Sequence, residues 1–235
     1  MIGSQTLHAT GYAMGITMDG KTGNADGEAV IAYFGDGATS QGDVNEAFVW
    51  SGVFHAPIVF FCQNNQYAIS EPLERQTRVP LYRRADGYGF PGVRVDGNDV
   101  LATFAVTRTA LDQARNGQGP TLIEAYTYRM GAHTSSDDPT RYRIASEVES
   151  WKAKDPIARM KTFLVKQRLA DDAFFGEVDQ KAGEVALSLR ERVLEMPDPQ
   201  PVTMFDNVYP NGSPEVDAQR AQFERYQASF EGSAH

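Results

Sequence analysis

Residues 33–70 read YFGDGATSQGDVNEAFVWSGVFHAPIVFFCQNNQYAIS, with two short apolar runs that each break off into polar residues. The first run ends at Gly35-Asp36-Gly37 and the second at Gln63-Asn64-Asn65. Runs that are apolar throughout, with β-branched and aromatic residues, fit strands buried on both faces, as in a parallel sheet. Ligands of such sheets bind beyond the carboxyl ends of the strands. Polar residues at two strand ends therefore suggest one shared ligand.

Working outward, the first run begins at 28 (EAVIAYF, 28–34) and the second covers 57–63 (PIVFFCQ). A third lies at 120–128 (PTLIEAYTY) and a shorter fourth at 92–95 (GVRV). Helical spacing fills the gaps. Residues 43–54 put Val44, Ala47, Phe48 and Trp50 on one side. Residues 99–117 space Val100, Phe104, Thr107, Leu111 and Ala114 as a helix face, with Asn98 or Asp99 as the N-cap and Gly117 as the stop. Strand and helix in alternation predict an α/β fold, a doubly wound parallel sheet. The opening SQTLHATGYAMGI reads as a helix whose small residues Ala9, Gly11, Ala13 and Gly15 admit another backbone closely. No strand precedes it, so the sequence is expected to start inside a domain.

After Tyr128 the texture changes. RMGAHTSSDDPTRYRIAS is polar and aperiodic, as expected of a functional loop. Helices are expected at 146–154, 156–168 and 171–195, the last with a core-facing stripe of Val178, Ala182, Val185, Leu189 and Val193. A Pro-rich extended arm, MPDPQPVTMFDNVYP, leads to a final amphipathic helix at 213–230. The expected organisation is a sheet-bearing domain, 1–145, with a helical C-terminal region and arm, 146–235.

A net charge of −9 argues against a nucleic-acid surface, which wants a basic face. Cys62 is the single cysteine, so no internal disulfide can form; within IVFFCQ it reads as a small buried apolar residue. No apolar run approaches the ~20 residues of a membrane span, and the N-terminus lacks the marks of a targeting peptide, so the expected compartment is the cytoplasm.

The two strand ends carry the chemistry. Asp36 offers a hard carboxylate oxygen, Asn65 an amide oxygen, and Tyr67 its main-chain carbonyl. Such an all-oxygen half-shell suits Mg²⁺, which shares its octahedron with substrate phosphates. Cys and His ligands for zinc are missing. Gly-Asp-Gly alone is a common turn; the joint pattern, with 26 residues between it and Asn64-Asn65, is more specific.

GDG, this interval and NN resemble the signature of thiamin-diphosphate enzymes. With GDGATSQGDVNEAF, APIVFFCQNNQYAIS, VRVDGNDV, PTLIEAYTYRMGAHTSSDDPTRYR and FDNVYP, the chain resembles the alpha subunit of the decarboxylase component of a 2-oxo acid dehydrogenase complex. The wording is nearest to the branched-chain type, with the pyruvate and acetoin types open. The resemblance implies thiamin diphosphate and Mg²⁺ as cofactors, the metal on Asp36, Asn65 and the Tyr67 carbonyl. It implies Gly35, Gly37 and Ala38 lining the turn, Ala68 and Ile69 approaching the rest of the cofactor, and Ile2 buttressing its bent shape. His133 matches the active-site histidine, where imidazole can donate and accept protons in acyl transfer to a lipoyl group. Arg129 is expected to orient the same loop or to pair with Asp137 or Asp138. His55 and the tail residue His235 read as structural or incidental. The implied partners are a beta subunit, in a heterotetramer of two alpha and two beta, and a lipoyl-bearing acyltransferase; the substrate is a 2-oxo acid. In the family a Tyr and an Arg further upstream grip the diphosphate. Two other readings compete: a folded fragment without catalytic competence, and a Mg²⁺-dependent phosphohydrolase with Asp36 as nucleophile.

Overall fold

The four apolar runs become four strands, and their register puts the carboxyl ends in line. In the computed structural model, which describes residues 2–24 and 26–231 (His235 lies outside them), helix α1 (Ser4–Met18) precedes β1 (Val30–Gly35). Helix α2 (Gly42–Val53) and β2 (Ile58–Asn64) follow. A two-stranded hairpin, β3 (Tyr67–Ala68) and β4 (Glu71–Pro72), leads to the single turns α3 (Leu73–Gln76) and α4 (Arg84–Gly87). Then come β5 (Gly92–Asp96), α5 (Val100–Arg115) and β6 (Thr121–Tyr126).

The sheet order is β1-β2-β6-β5, all parallel. Gly35 pairs with Gln63, Asn64 with Tyr126, and Tyr126 with Asp96, so all four strands stop at one edge. On one face Phe48 meets Phe60 and Phe90 edge-on and Phe34 at a tilt, in one cluster with Ala13 and Ala47. On the other, Val59, Phe61, Ile123 and Ala125 meet α5. Each large buried side chain contributes roughly 1.5–3 kcal/mol. This is the expected doubly wound layer.

Local signals behave as read at several points. Asp99 caps α5, accepting from the Leu101 and Ala102 N–H groups, and Gly117 supplies the left-handed stop at φ 75°. Cys62 is buried and unpaired. Other readings need correction. Of the expected α5 stripe, Ala114 is buried and Leu111 packs on the sheet beside Ala102, Val106 and Ala110, while Val100 and Phe104 are exposed. Trp50 is exposed and stacks on Phe54 rather than joining Val44, Ala47 and Phe48. In α1 the packed face is Thr6, Thr10, Ala13 and Ile16, and Gly11 and Gly15 have open space about them. A 3.6-residue period allows neighbouring faces to compete, and small residues fit the closer contact.

Beyond the loop after β6 lie α6 (Ala145–Lys152), α7 (Pro156–Lys166), α8 (Asp172–Glu195) and α9 (Pro214–Glu231). Two compact units emerge, Met1–Leu169 and Ala170–His235, with α6 and α7 in the first. In the second, Arg220 pairs with Asp206 and lies over Phe205, which meets Phe223. The arm is not fully extended, for Pro201–Phe205 form a 3-10 turn. The α8 stripe is not a core: Val178, Val185, Leu189 and Val193 are all exposed, because within this unit no second layer covers them. Among the described residues no helix is long and apolar enough to cross a membrane.

Candidate functional site

Asp36 opens a 3-10 turn at the end of β1 and is buried. The Thr39 hydroxyl donates to the Asp36 carbonyl at 2.6 Å, and Arg84 Nη1 donates to the Thr39 carbonyl at 2.6 Å, which fixes the turn. The carboxylate accepts the Asn65 N–H on Oδ1 at 3.3 Å and Gln76 Nε2 on Oδ2 at 3.0 Å. The ends of β1 and β2 therefore meet, as the quoted stretch suggested.

Burial pushes the Asp36 carboxyl above its ordinary range; the hydrogen bonds from Gln76 and Asn65 and the positive charge of Arg129 pull it back in part. Asp36 has no ion-pair partner among the described residues, whereas a buried charged group is ordinarily paired or bound to a metal. Among those residues no three His, Cys, Asp or Glu side chains cluster as a metal site. The available donors are one carboxylate and neutral oxygens. Asn65 Oδ1 accepts from the Tyr67 N–H at 3.1 Å, and the Tyr67 carbonyl from Arg129 Nη1 at 3.3 Å, so each keeps a lone pair. Gln76 Oε1, on the amide that touches Asp36, is a buried acceptor without a partner. An orphaned oxygen beside a buried carboxylate fits a hard divalent ion.

The glycines differ in their duties. A Cβ on Gly37 would stand 2.8 Å from that of Ala68, so the β3–β4 hairpin lies directly on the turn. Gly35 has open space around it. Ala38 is buried in the core, while Ile69, exposed, takes a left-handed φ of 56°. That conformation costs a β-branched residue of the order of 1–3 kcal/mol. Ile2 is 67% exposed, and Gly3 after it donates to Gln41 at the head of α2. Among the described residues no hydrogen bond draws Ile2 to Asp36.

Arg129 organises the loop. It donates to the carbonyls of Tyr67 and Ile69 and, at 2.8 Å, to the Tyr142 hydroxyl. Tyr142 donates to Asp137 Oδ2 at 2.6 Å, and the same oxygen takes the His133 N–H at 2.8 Å. Arg129 and Asp137 lie 4.0 Å apart, so the arginine both orients the loop and pairs with Asp137; Asp138 instead caps the turn at Thr140. A continuous chain of hydrogen bonds thus ties the exposed His133 to the Tyr67–Ile69 turn. Arg129→Ala is expected to loosen this turn and loop by about 2–4 kcal/mol, the worth of two or three charge-assisted bonds. Limited proteolysis within 129–143 should accelerate about tenfold or more. Arg129→Lys should not restore protection, because an ammonium lacks the fork. Unchanged cleavage in both variants would contradict this role.

Sequence reasoning missed Gln76, Tyr142, Arg143 and the buried Glu124. Arg143 anchors the carbonyls of Arg129 and Met130 from 13 or 14 residues away. Glu124 did carry a readable signal, a lone charge inside an apolar strand.

Residues 1–195 match the family model described as "Dehydrogenase E1 component". The chain belongs to that family. It is 49% identical over 223 residues to a protein of Mycobacterium tuberculosis (strain CDC 1551 / Oshkosh) named 3-methyl-2-oxobutanoate dehydrogenase subunit alpha, covering 94% of this chain and 59% of that relative. It is 41% identical over 194 residues to a pyruvate dehydrogenase E1 component subunit alpha of Staphylococcus aureus (strain Mu50 / ATCC 700699), covering 81% of this chain and 51% of that one. The chain therefore spans less than two thirds of the length of these relatives of the E1 family.

Proposed function

We propose that this chain serves as an alpha subunit of a 2-oxo acid dehydrogenase, of the branched-chain type, and that its sheet edge holds Mg²⁺ and the diphosphate of thiamin diphosphate. The observation that carries the reading is the buried Asp36 carboxylate at the end of β1, joined at 3.3 Å to the Asn65 N–H at the end of the adjacent β2. The greater identity to the 3-methyl-2-oxobutanoate relative supports the branched-chain substrate.

In this reading Asp36, the Asn65 side chain and the Tyr67 carbonyl hold the cation. Gly37 and Ala38 bring the turn under the diphosphate, and Gly35 leads the chain into it. Ala68 and Ile69, in the turn whose Tyr67 and Ile69 carbonyls Arg129 holds, face the organic part of the cofactor, and Ile2 supports it from the head of the chain. Thiamin diphosphate, when bound, supplies the carbon nucleophile and the electron sink for decarboxylation. His133 moves protons as the acyl group passes to a lipoyl carrier, the lipoyl disulfide being reduced as the 2-oxo acid carbon is oxidised. Its loop, tethered through Asp137 and Tyr142, sets where the imidazole can reach. A beta subunit completes the site in a cytoplasmic two-alpha, two-beta assembly that serves a lipoyl-bearing acyltransferase.

The test is reconstitution of the full-length alpha chain with its beta partner, Mg²⁺ and thiamin diphosphate. The expected result is calorimetric binding of the cofactor and a kcat/KM for 3-methyl-2-oxobutanoate about tenfold or more above that for pyruvate; a pocket distinguishing one or two methyl groups supplies that much. The reverse preference would favour the pyruvate type. Absence of cofactor binding would overturn the reading.

A further inference from the structure

Two carboxylates are buried among the described residues, Asp36 and Glu124. Asp36 has its place in the proposed site. Glu124 stands mid-strand in β6 with 0% exposure, beside Leu122, where an apolar residue would pack without cost. Taking a carboxylate out of water costs several kcal/mol unless each oxygen finds a donor. Both do. Oε1 takes Asn64 Nδ2 at 2.7 Å and Oε2 takes the Tyr82 N–H at 3.0 Å, with Arg94 Nε 3.8 Å from Oε1.

The bond to Asn64 has a consequence for its neighbours. With Nδ2 committed to Glu124, Asn64 Oδ1 faces the other way and accepts the Gln66 N–H at 3.0 Å. That closes a turn in which Gln66 is left-handed, at φ 73°. Asn65 sits inside this turn. Its N–H reaches Asp36 and its Oδ1 accepts from Tyr67, so the second asparagine and the Tyr67 carbonyl stand where the first asparagine's amide puts them. A carboxylate is required at 124 because both partners are donors; a glutamine would turn its own NH₂ on one of them.

We propose that Glu124 is a positioning residue for the cation site: through Asn64 it sets the turn that presents the Asn65 and Tyr67 oxygens beside Asp36. This inference rests on the reading of that turn as the cation and diphosphate site.

The experiment uses full-length alpha chain assembled with its beta subunit. It compares wild type, Glu124→Gln, and the double variant Asn64→Asp/Glu124→Gln. The double variant reverses donor and acceptor. The new amide oxygen at 124 accepts from Tyr82, its NH₂ donates to the new carboxylate at 64, and the other oxygen of that carboxylate accepts from Gln66. Mn²⁺ affinity is read by electron paramagnetic resonance in the presence of thiamin diphosphate, and melting temperature is read without either. Glu124→Gln is expected to weaken Mn²⁺ binding about tenfold or more, as for other supports of metal ligands, and the double variant to return it to within about threefold of wild type. Should Glu124→Gln not fold, Asn64→Ala cuts the same link and carries the same expectation. A lower melting temperature with unchanged Mn²⁺ affinity, or a double variant no better than the single, overturns the proposal. If wild type itself takes up neither Mn²⁺ nor thiamin diphosphate, the functional reading falls, and this inference with it.

Discussion

Asp36→Asn is expected to remove the proposed cation binding while leaving the unliganded fold as stable as wild type, or more so. The substitution deletes the only charged donor in the proposed half-shell, and Mg²⁺ affinity should fall by ~100-fold or more, beyond what loss of a supporting group costs. Turnover at fixed Mg²⁺ should fall in step. The fold does not suffer, because the charge it loses was held against burial. The new amide oxygen still accepts from the Asn65 N–H. Its NH₂ meets Gln76, whose orphaned Oε1 can turn to accept it. The pH dependence follows with a definite sign. The folded-state pKa of Asp36 is raised above the ordinary 3.8 by burial. Folding is therefore favoured by this group at low pH, and that contribution is lost as pH rises from the ordinary value through the raised one. Unliganded wild type should lose stability across this interval and Asp36→Asn should not. With Mg²⁺ the order inverts, since the ion binds the charged form and its affinity drops as pH falls through the raised pKa. Thermal melts across pH, with and without Mg²⁺ and thiamin diphosphate, read both signs. A variant that still gains stability from the metal would refute the assignment of the cation to this carboxylate.

The largest effect on stability is expected from Gly92→Ala. A Cβ there would stand 1.9 Å from the Tyr82 carbonyl oxygen and 3.2 Å from the Ala85 Cβ. The obstacle is backbone, which cannot rotate away, so the 81–87 segment or the start of β5 must move. Overpacking costs up to about 3 kcal/mol, and more against main chain. In a chain of this size that is a fall of ~6–12 °C in Tm for the sheet-bearing unit. Tyr82 also gives its N–H to Glu124, so the displacement leaves a buried carboxylate oxygen without its donor. Gly87→Ala is the control. Nothing lies within 4 Å of its Cβ position, and Tm should shift by less than ~2 °C. Equal melting temperatures for the two variants would contradict the packing described.

Much of the site was legible because its residues sit where one-dimensional patterns end. Asp36 follows the first buried run and Asn65 the second, and a parallel sheet brings such ends to one edge. Tyr67 and Ala68 come with them by adjacency. Gln76 was not legible: it reaches Asp36 from 40 residues on, by way of a hairpin and a single helical turn that no period announces. Nor was the link from Asn64 to Glu124, 60 residues apart. The α8 stripe shows the same boundary from the other side. Its period was readable, but whether a helix face is buried depends on what lies opposite it.

The sequence by itself determined the strands, most of the helices and the two polar strand ends, because periodicity, caps and turn residues act within a few positions of one another. Only the tertiary structure decided that β6 lies between β2 and β5. Strand order is a choice among pairings of similar local energy, settled by which faces bury together. That choice puts Glu124 against Asn64, hangs the His133 loop from Arg129, and brings Asn65 and Gln76 to the carboxylate at the end of β1.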